Sequence, residues 1–296
     1  MTRLDNLARQ AALKGVTLQP VLINMPLDVY TPPRTASTRA SFAGFAEAAA
    51  RRYGPNGTFW GSCQCPSRPI KVWEVWNEPN IAPYWEVPNP TEYAALLQAT
   101  RARLRKADRS ARLLFGGLAY PSSLASTRLE PNGFLRDVIS AAGWKSFDAI
   151  ALHMYRPNPD VAVNSLIAGT VSTLAAYGGV EATGAPRHQV WVNEFGRPTS
   201  ADDPATPEDE AAASELTQRD WLNAILDGLA PKRLSWNLGP LMWYSLRDSH
   251  AATASWHRQG LRRTTDDDAD GGAKPSWDAY AQRSLTGGLL NLPVAR

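Results

Sequence analysis

Apolar residues recur along this chain at two alternating periods, one helical and one of strands. Leu4 to Gly15 carries them at helical spacing and closes on glycine, which predicts a helix. Val16 to Asn24 reads as a first strand that ends in a Met-Pro loop. Ser41 to Tyr53 is an Ala-rich helix with Phe42, Phe45 and Ala49 at i, i+3 and i+7, and Gly54 to Lys71 is a loop rich in Gly, Pro and Ser. A second strand starts at Val72. Asn89 as cap and Pro90 in the first turn open a helix that runs through Leu96, Leu97 and Leu104 to about Lys106. The pattern then alternates: strand Arg112 to Ala119, helix Gly133 to Ala142, strand Phe147 to Tyr155, helix Ser165 to Tyr177, strand Gln189 to Gly196. An acidic, Pro-containing linker from Arg197 to Ala211 precedes a helix from Ser214 to Leu229, with Leu216, Trp221, Ile225 and Leu229 on its buried side. A sixth strand, Gly239 to Ser245, and a last helix, Lys274 to Arg283, complete the pattern.

Strands alternating with amphipathic helices imply right-handed crossovers and a parallel sheet. With 296 residues, 44% of them hydrophobic, the chain can bury one large core, and α/β barrels of this size are commonly single domains. Residues 1–296 are therefore expected to form one domain. Basic and acidic residues, 31 against 28, are interspersed, which is not the footprint of a nucleic-acid binder. No run approaches 18 apolar residues, so no membrane span is expected. The N-terminus lacks the charged, apolar and small-residue order of a signal peptide, and localisation and oligomeric state stay open. Cys63 and Cys65, one residue apart in the glycine-rich loop, fit neither a structural disulfide nor a complete zinc site and read as loop thiols.

Chemistry concentrates at two strand ends. In Val72-Trp-Glu-Val-Trp-Asn-Glu-Pro-Asn80, alternation places Glu74, Trp76 and Glu78 on one face, and Pro79 ends the ladder with Glu78 at its mouth. Alone, such a glutamate is more often a structural ion-pair partner. Glu74, deeper on that face, reads as a buried polar group with a basic or hydroxyl partner. Gln189-Val-Trp-Val-Asn-Glu-Phe-Gly196 repeats the arrangement, with Val190, Val192 and Glu194 sharing a face. Parallel strands end on the same side of a sheet, so Glu78 and Glu194 can converge there. Two facing carboxyls are what glycosidic bond cleavage needs: one protonates the leaving oxygen and the other attacks the anomeric carbon. An ionised neighbour also raises the pKa of an acid. Ala149, Ala151, His153 and Tyr155 share the small, polar face of the fourth strand, and Trp243 at the end of the sixth offers a ring for sugar stacking.

Trp76-Asn-Glu-Pro-Asn80 followed by Tyr84-Trp85 resembles the acid/base segment of the retaining glycoside hydrolases of clan A, particularly families 5 and 39. Asn193-Glu-Phe-Gly196 resembles the nucleophile strand of that clan, and His153-Met-Tyr155 and Trp243 match its later strands. Gly260-Leu-Arg262 and Lys274-Pro-Ser-Trp-Asp-Ala-Tyr280 are similar to its last loop and helix. The resemblance implies a TIM (β/α)8-type barrel. It also implies Glu78 as general acid/base, Glu194 as nucleophile, and Asn77 on the sugar 2-hydroxyl and the covalent intermediate, through a kink at the strand end. Tyr155 would hydrogen-bond the nucleophile, Trp243 would floor the subsite of the cleaved sugar, and His153 and Trp85 would contact the substrate or its neighbours. The substrate class implied by the resemblance is a β-linked oligo- or polysaccharide, β-xylosidase-like from Tyr84 and Trp85 or β-glucanase-like from Asn-Glu-Phe-Gly.

Only six strands can be counted, and the clan's second-strand arginine has no counterpart. The expectation is thus a barrel truncated at its N-terminus by two βα units, about 60 to 100 residues by the usual size of such folds. A non-catalytic carbohydrate-binding barrel is the alternative reading. No His/Asp ligand set supports a metallohydrolase, no Gly-rich phosphate loop follows a strand, and neither metal nor cofactor is expected. Asp266-x-Asp268-x-Asp270-Gly271 resembles the opening of a calcium loop, but Trp277 stands where the bidentate Glu belongs, so a solvated loop is the better reading.

Overall fold

A computed structural model describes residues 2–23, 31–120, 129–199, 213–249, 255–265 and 269–285. Strands β1 (Val21–Leu22), β2 (Val72–Val75), β3 (Arg112–Ala119), β4 (Ala149–Met154), β5 (Gln189–Phe195) and β6 (Leu238–Trp243) form a six-stranded sheet in sequence order. Helices α1 (Arg3–Leu13), α2 (Ala36–Tyr53), α3 (Pro90–Ala107), α4 (Pro131–Ala142), α5 (Pro159–Gly178), α6 (Glu215–Leu229) and α7 (Pro275–Leu285) separate or flank them. This is the βα succession of an α/β barrel, with β1 and β6 as the end strands of the sheet among the described residues. The chain divides into two compact units: Met1–Gly117 with Thr127–Ile150, and Leu118–Ser126 with Ala151–Arg296.

In the first unit β2 pairs in parallel with both β1 and β3, Glu74 opposite Val21 and Leu114, and Val75 opposite Leu22 and Phe115. All four β2 residues are buried, as expected of a strand covered on both faces. Rings then carry the core outward from the sheet. Trp76 meets Trp85 at 6.0 Å, Trp85 meets Tyr93 at 5.8 Å, Tyr93 meets Phe115 at 4.9 Å and Phe115 meets Phe147 at 5.3 Å, all edge to face, the arrangement the ring quadrupole favours. The Tyr93 hydroxyl donates to Val75 O at 2.7 Å and accepts from Gly116 N–H at 2.8 Å, tying α3 to two strands. Burial holds that phenol well above its ordinary pKa, so it remains a donor.

Helix ends follow local chemistry. Asn89 caps α3 by accepting from Thr91 and Glu92 N–H, with Pro90 at the first position. Thr35 and Thr38 form a reciprocal box that starts α2 at Ala36, five residues before the expected Ser41. Phe42, Ala43, Ala46 and Ala50 make its buried stripe, so Phe45, expected inside, is half exposed. The first strand is also shorter than expected, because only Val21 and Leu22 pair with β2.

The reading of Cys63 and Cys65 as free thiols is corrected: they form a disulfide with Cα atoms 5.3 Å apart. Gln64 between them has φ +51°, a left-handed turn that folds the two flanking residues toward each other.

In the second unit β5 pairs in parallel with β6, Val190 opposite Leu238, Val192 opposite Leu241 and Phe195 opposite Trp243. Helix α6 buries Trp221, Leu222, Ile225, Leu226 and Leu229, but Leu216, expected inside, is exposed. Gln218, two residues on, takes the inward place, because its amide donates to Arg197 O and accepts from Ser276 Oγ. By length and composition α5 is apolar enough to cross a membrane, which the sequence reading did not expect of any segment. Ala162, Val163, Ile167 and Leu174 bury one side of it, as in a core helix. An antiparallel hairpin of β7 (Arg262–Thr264) and β8 (Asp270–Ala273) precedes α7 and has no counterpart in the sequence reading. Its Asp270 pairs with Arg262, while Asp266 and Asp268 lie outside the described residues.

Candidate functional site

Each unit carries one of the two glutamates at the end of a strand. In the first, β2 stops at Val75, and Trp76 and Glu78 adopt φ of +67° and +43°. Side-chain alternation therefore ends before Asn77, which lies half buried between them. Left-handed backbone at a residue with a Cβ costs on the order of 1–2 kcal/mol, so this turn must be held by its surroundings. Trp76 N–H donates to Leu22 O at 2.8 Å, its indole N–H to Tyr84 O at 2.9 Å, and Glu78 N–H to Gly117 O at 3.0 Å. Trp76 itself is fully buried, braced by Phe42 and Trp85. Beneath the turn β3 passes so closely that a Cβ on Gly116 would lie 2.5 Å from Trp76 O and 2.7 Å from Val75 O. Only glycine fits there.

Glu74 is completely buried, and two amides donate to its carboxylate. Gly117 N–H donates to Oε1 at 2.8 Å and the Gln19 side chain to Oε2 at 3.2 Å. It thereby fastens β3 beneath Glu78. Trp85, which the resemblance placed against substrate, has no exposed surface and donates its indole N–H to Glu92. It is a core residue of the Trp76–Tyr93 stack, and the expectation that it contacts substrate is corrected.

In the second unit Glu194 is half buried near the end of β5. The Tyr155 hydroxyl donates to its Oε2 at 2.7 Å, and His153 Nδ1 lies 3.4 Å from the same oxygen, an ion pair when the imidazole is protonated. His153 is buried, so β4 presents both side chains to the carboxylate through the alternation read from the sequence. Both contacts fall on one carboxylate oxygen and fix the plane of the group.

An exposed aromatic beside this cluster is Tyr244. Tyr244 is 44% exposed and stands edge-on to Tyr155 at 6.4 Å, its N–H bonded to Phe195 O. Its peptide bond to Ser245 is cis. Trp243 packs instead with Phe195 at 5.3 Å and Trp221 of α6 at 6.0 Å, and donates its indole N–H to Gln259 O at 2.7 Å. The sequence placed Trp243 at the end of the sixth strand and by resemblance at the clan's late tryptophan; its register opposite Phe195 packs it against Trp221 of α6, with Tyr244 following at the strand end. The Tyr-Ser dipeptide following that tryptophan was the available signal.

No protein-family model matches the sequence, and no curated protein matches it. Solved structures do. A family 39 glycoside hydrolase from the gut symbiont Bacteroides cellulosilyticus WH2 aligns with a TM-score of 0.66 at 19% identity, over 97% of this chain and 54% of its own. A monomeric β-xylosidase from Caulobacter crescentus CB15 aligns with a TM-score of 0.59 at 17% identity, over 92% of this chain and 54% of its own. Fungal β-1,4-galactanases align with a TM-score of 0.62 at 15% identity, over 94% of this chain and 81% of theirs. The chain thus spans about half the length of the first two. At these identities the likeness establishes architecture alone: the six-stranded sheet with its flanking helices follows the βα succession of the barrels in these glycoside hydrolases and fits a truncated α/β barrel.

Proposed function

We propose that this chain is a glycoside hydrolase acting on β-linked sugars by double displacement, with Glu194 as nucleophile and Glu78 as general acid/base. The observation that carries the reading is the Glu194 carboxylate held by Tyr155 and His153 through a single oxygen. That arrangement leaves Oε1 as the attacking atom. It also matches the order of glutamates, His-x-Tyr and terminal aromatic in which the sequence resembles clan A.

In the first step Oε1 of Glu194 attacks the anomeric carbon while the bond from that carbon to the leaving oxygen breaks. Glu78 gives its proton to that oxygen. In the second step Glu78 takes a proton from water, the water oxygen attacks the same carbon, and Glu194 departs as carboxylate. Asn77 holds the sugar 2-hydroxyl, and the exposed Tyr244 ring supplies a flat apolar face for the sugar. The neighbours described as a β-xylosidase and as β-1,4-galactanases support a β-linked pentose or hexose as the glycone.

A panel of nitrophenyl glycosides tests the activity, and proton NMR of the first-formed anomer tests retention. A 2-deoxy-2-fluoro glycoside of the preferred sugar is expected to label Glu194 in a peptide mass map. If the wild-type chain is as slow as Glu194→Ala on every substrate, the reading fails.

A further inference from the structure

Lys274 is a deeply buried charge in the second unit that the proposed reaction does not use, its side chain 1% exposed. It stands between β8 and α7, and its Nζ makes three hydrogen bonds: to Asp248 Oδ1 at 2.8 Å, to Thr199 Oγ1 at 2.9 Å and to Arg258 O at 3.1 Å. An ammonium has three protons, so all are used. Burial lowers the lysine pKa, and Asp248 opposes that shift.

The three acceptors belong to three different segments. Thr199 follows β5 five residues after Glu194, and Asp248 follows β6 four residues after Tyr244. Arg258 precedes Gln259, whose carbonyl takes the Trp243 indole N–H. These segments are laced to one another as well. Thr199 N–H donates to Arg258 O, Gly260 N–H to Asp248 Oδ1, and Leu261 N–H to Ser245 O. The fit is close: a Cβ on Gly196 would lie 2.5 Å from Tyr244 O and 2.6 Å from Gln259 Oε1. A buried ion pair is a weak way to gain stability, since an apolar residue of equal volume avoids the desolvation. What the charge supplies is one fixed arrangement of three acceptors.

We infer that Lys274 is a positioning residue of the proposed glycosidase site, fixing the segments after β5 and β6 as one piece and with them the spacing of Tyr244 from the Glu194–Tyr155 pair. The inference rests on the function proposed above for its consequence, and on the contacts alone for its geometry.

The experiment compares the whole wild-type chain with Lys274→Met, Lys274→Arg and Lys274→Ala, the last with and without propylammonium. Two readouts are taken: kcat and KM on the best nitrophenyl glycoside, and the Trp243 indole N–H cross-peak in a proton–nitrogen correlation spectrum, assigned with Trp243→Phe. The expected result is a shifted Trp243 peak in Lys274→Met and a KM raised about tenfold with kcat lowered less. Propylammonium should restore both in Lys274→Ala, and Lys274→Arg, whose planar fork cannot reproduce the three contacts, should not recover the wild-type values. An unshifted peak with kcat/KM within twofold of wild type overturns the inference, as does loss that propylammonium leaves unchanged. If the Met and Ala variants do not fold, Thr199→Val, which removes one acceptor, takes their place: a smaller rise in KM supports the inference and no rise overturns it. A wild-type chain inactive on the whole panel removes the proposed function, while the Trp243 peak still reports whether Lys274 fixes these segments.

Discussion

Tyr155 donates its hydroxyl to Glu194 Oε2 at 2.7 Å, and both residues lie at the ends of their strands. A hydrogen bond to a charged acceptor contributes about 1.5–3 kcal/mol. Tyr155→Phe keeps the ring and its contact with Tyr244 but removes the donor. The expected outcome is kcat lower by roughly ten- to a hundredfold with KM little changed, since the lost bond orients the nucleophile rather than the ground-state sugar. Steady-state kinetics on an aryl glycoside check this. A variant within twofold of wild type in kcat would show that the hydroxyl is not used.

The two adjacent aromatics at the end of β6 should separate cleanly by phenotype. Trp243 lies between Phe195 and Trp221, so Trp243→Ala opens a cavity and should cost roughly 3–5 kcal/mol of stability. Tyr244, 44% exposed, should cost little stability when changed to Ala but raise KM about tenfold, through loss of a stacking face. Thermal melts and kinetics on the two variants decide it. The reverse pattern would return the platform role to Trp243.

Periodicity was enough to place every strand of the six-stranded sheet, because each alternates with an amphipathic helix, and β3 falls on its expected bounds. That Glu78, Glu194, His153 and Tyr155 fall at or near strand ends was legible for a related reason: side-chain order along a strand survives from sequence to structure. What could not be read depended on contacts between distant segments. The inward place of Gln218 rests on Arg197 and Ser276, and the turn at Trp76 and Glu78 rests on Leu22 and Gly117. Lys274, read as the first residue of the last helix, is a buried hub. Trp85 was placed at the substrate by resemblance, whereas Tyr93, eight residues on, supplies a ring that helps bury it. The Cys63–Cys65 bond needed Gln64 in a left-handed turn, which no spacing rule reveals.

Gly116 is the backbone support of the Glu78 turn. A methyl there meets Trp76 O at 2.5 Å and Val75 O at 2.7 Å, and neither carbonyl can move without displacing the turn. Gly116→Ala should therefore cost about 1–3 kcal/mol of stability, the range for overpacking. It should also lower kcat more than a remote destabilising change of equal size. The control is an Ile139→Val variant, at a buried position in α4. If both variants lose activity only in proportion to the fraction unfolded, the turn does not govern the position of Glu78.

Asp5 gives the first unit a pH-dependent anchor. Its burial alone would raise the carboxyl pKa, but two hydrogen bonds from Arg52, at 2.9 and 2.7 Å, one from the Tyr53 hydroxyl and one from Thr2 N–H outweigh it and hold the group well below the usual range. The folded chain therefore binds fewer protons at this site than the unfolded one. Stability from the group is fully present above the unfolded pKa of about 3.9 and is lost as pH falls from about 5 toward the folded value. Asp5→Asn cannot titrate, so its deficit should be several degrees in Tm at pH 7 and should shrink steadily below pH 5. Because Arg52 is 44% exposed, moderate salt should narrow the gap at pH 7 as well. Melting curves of the two chains across pH 3 to 8 test this, and a gap that stays constant through that range would show that the ionised carboxylate of Asp5 is not what anchors α1 to α2.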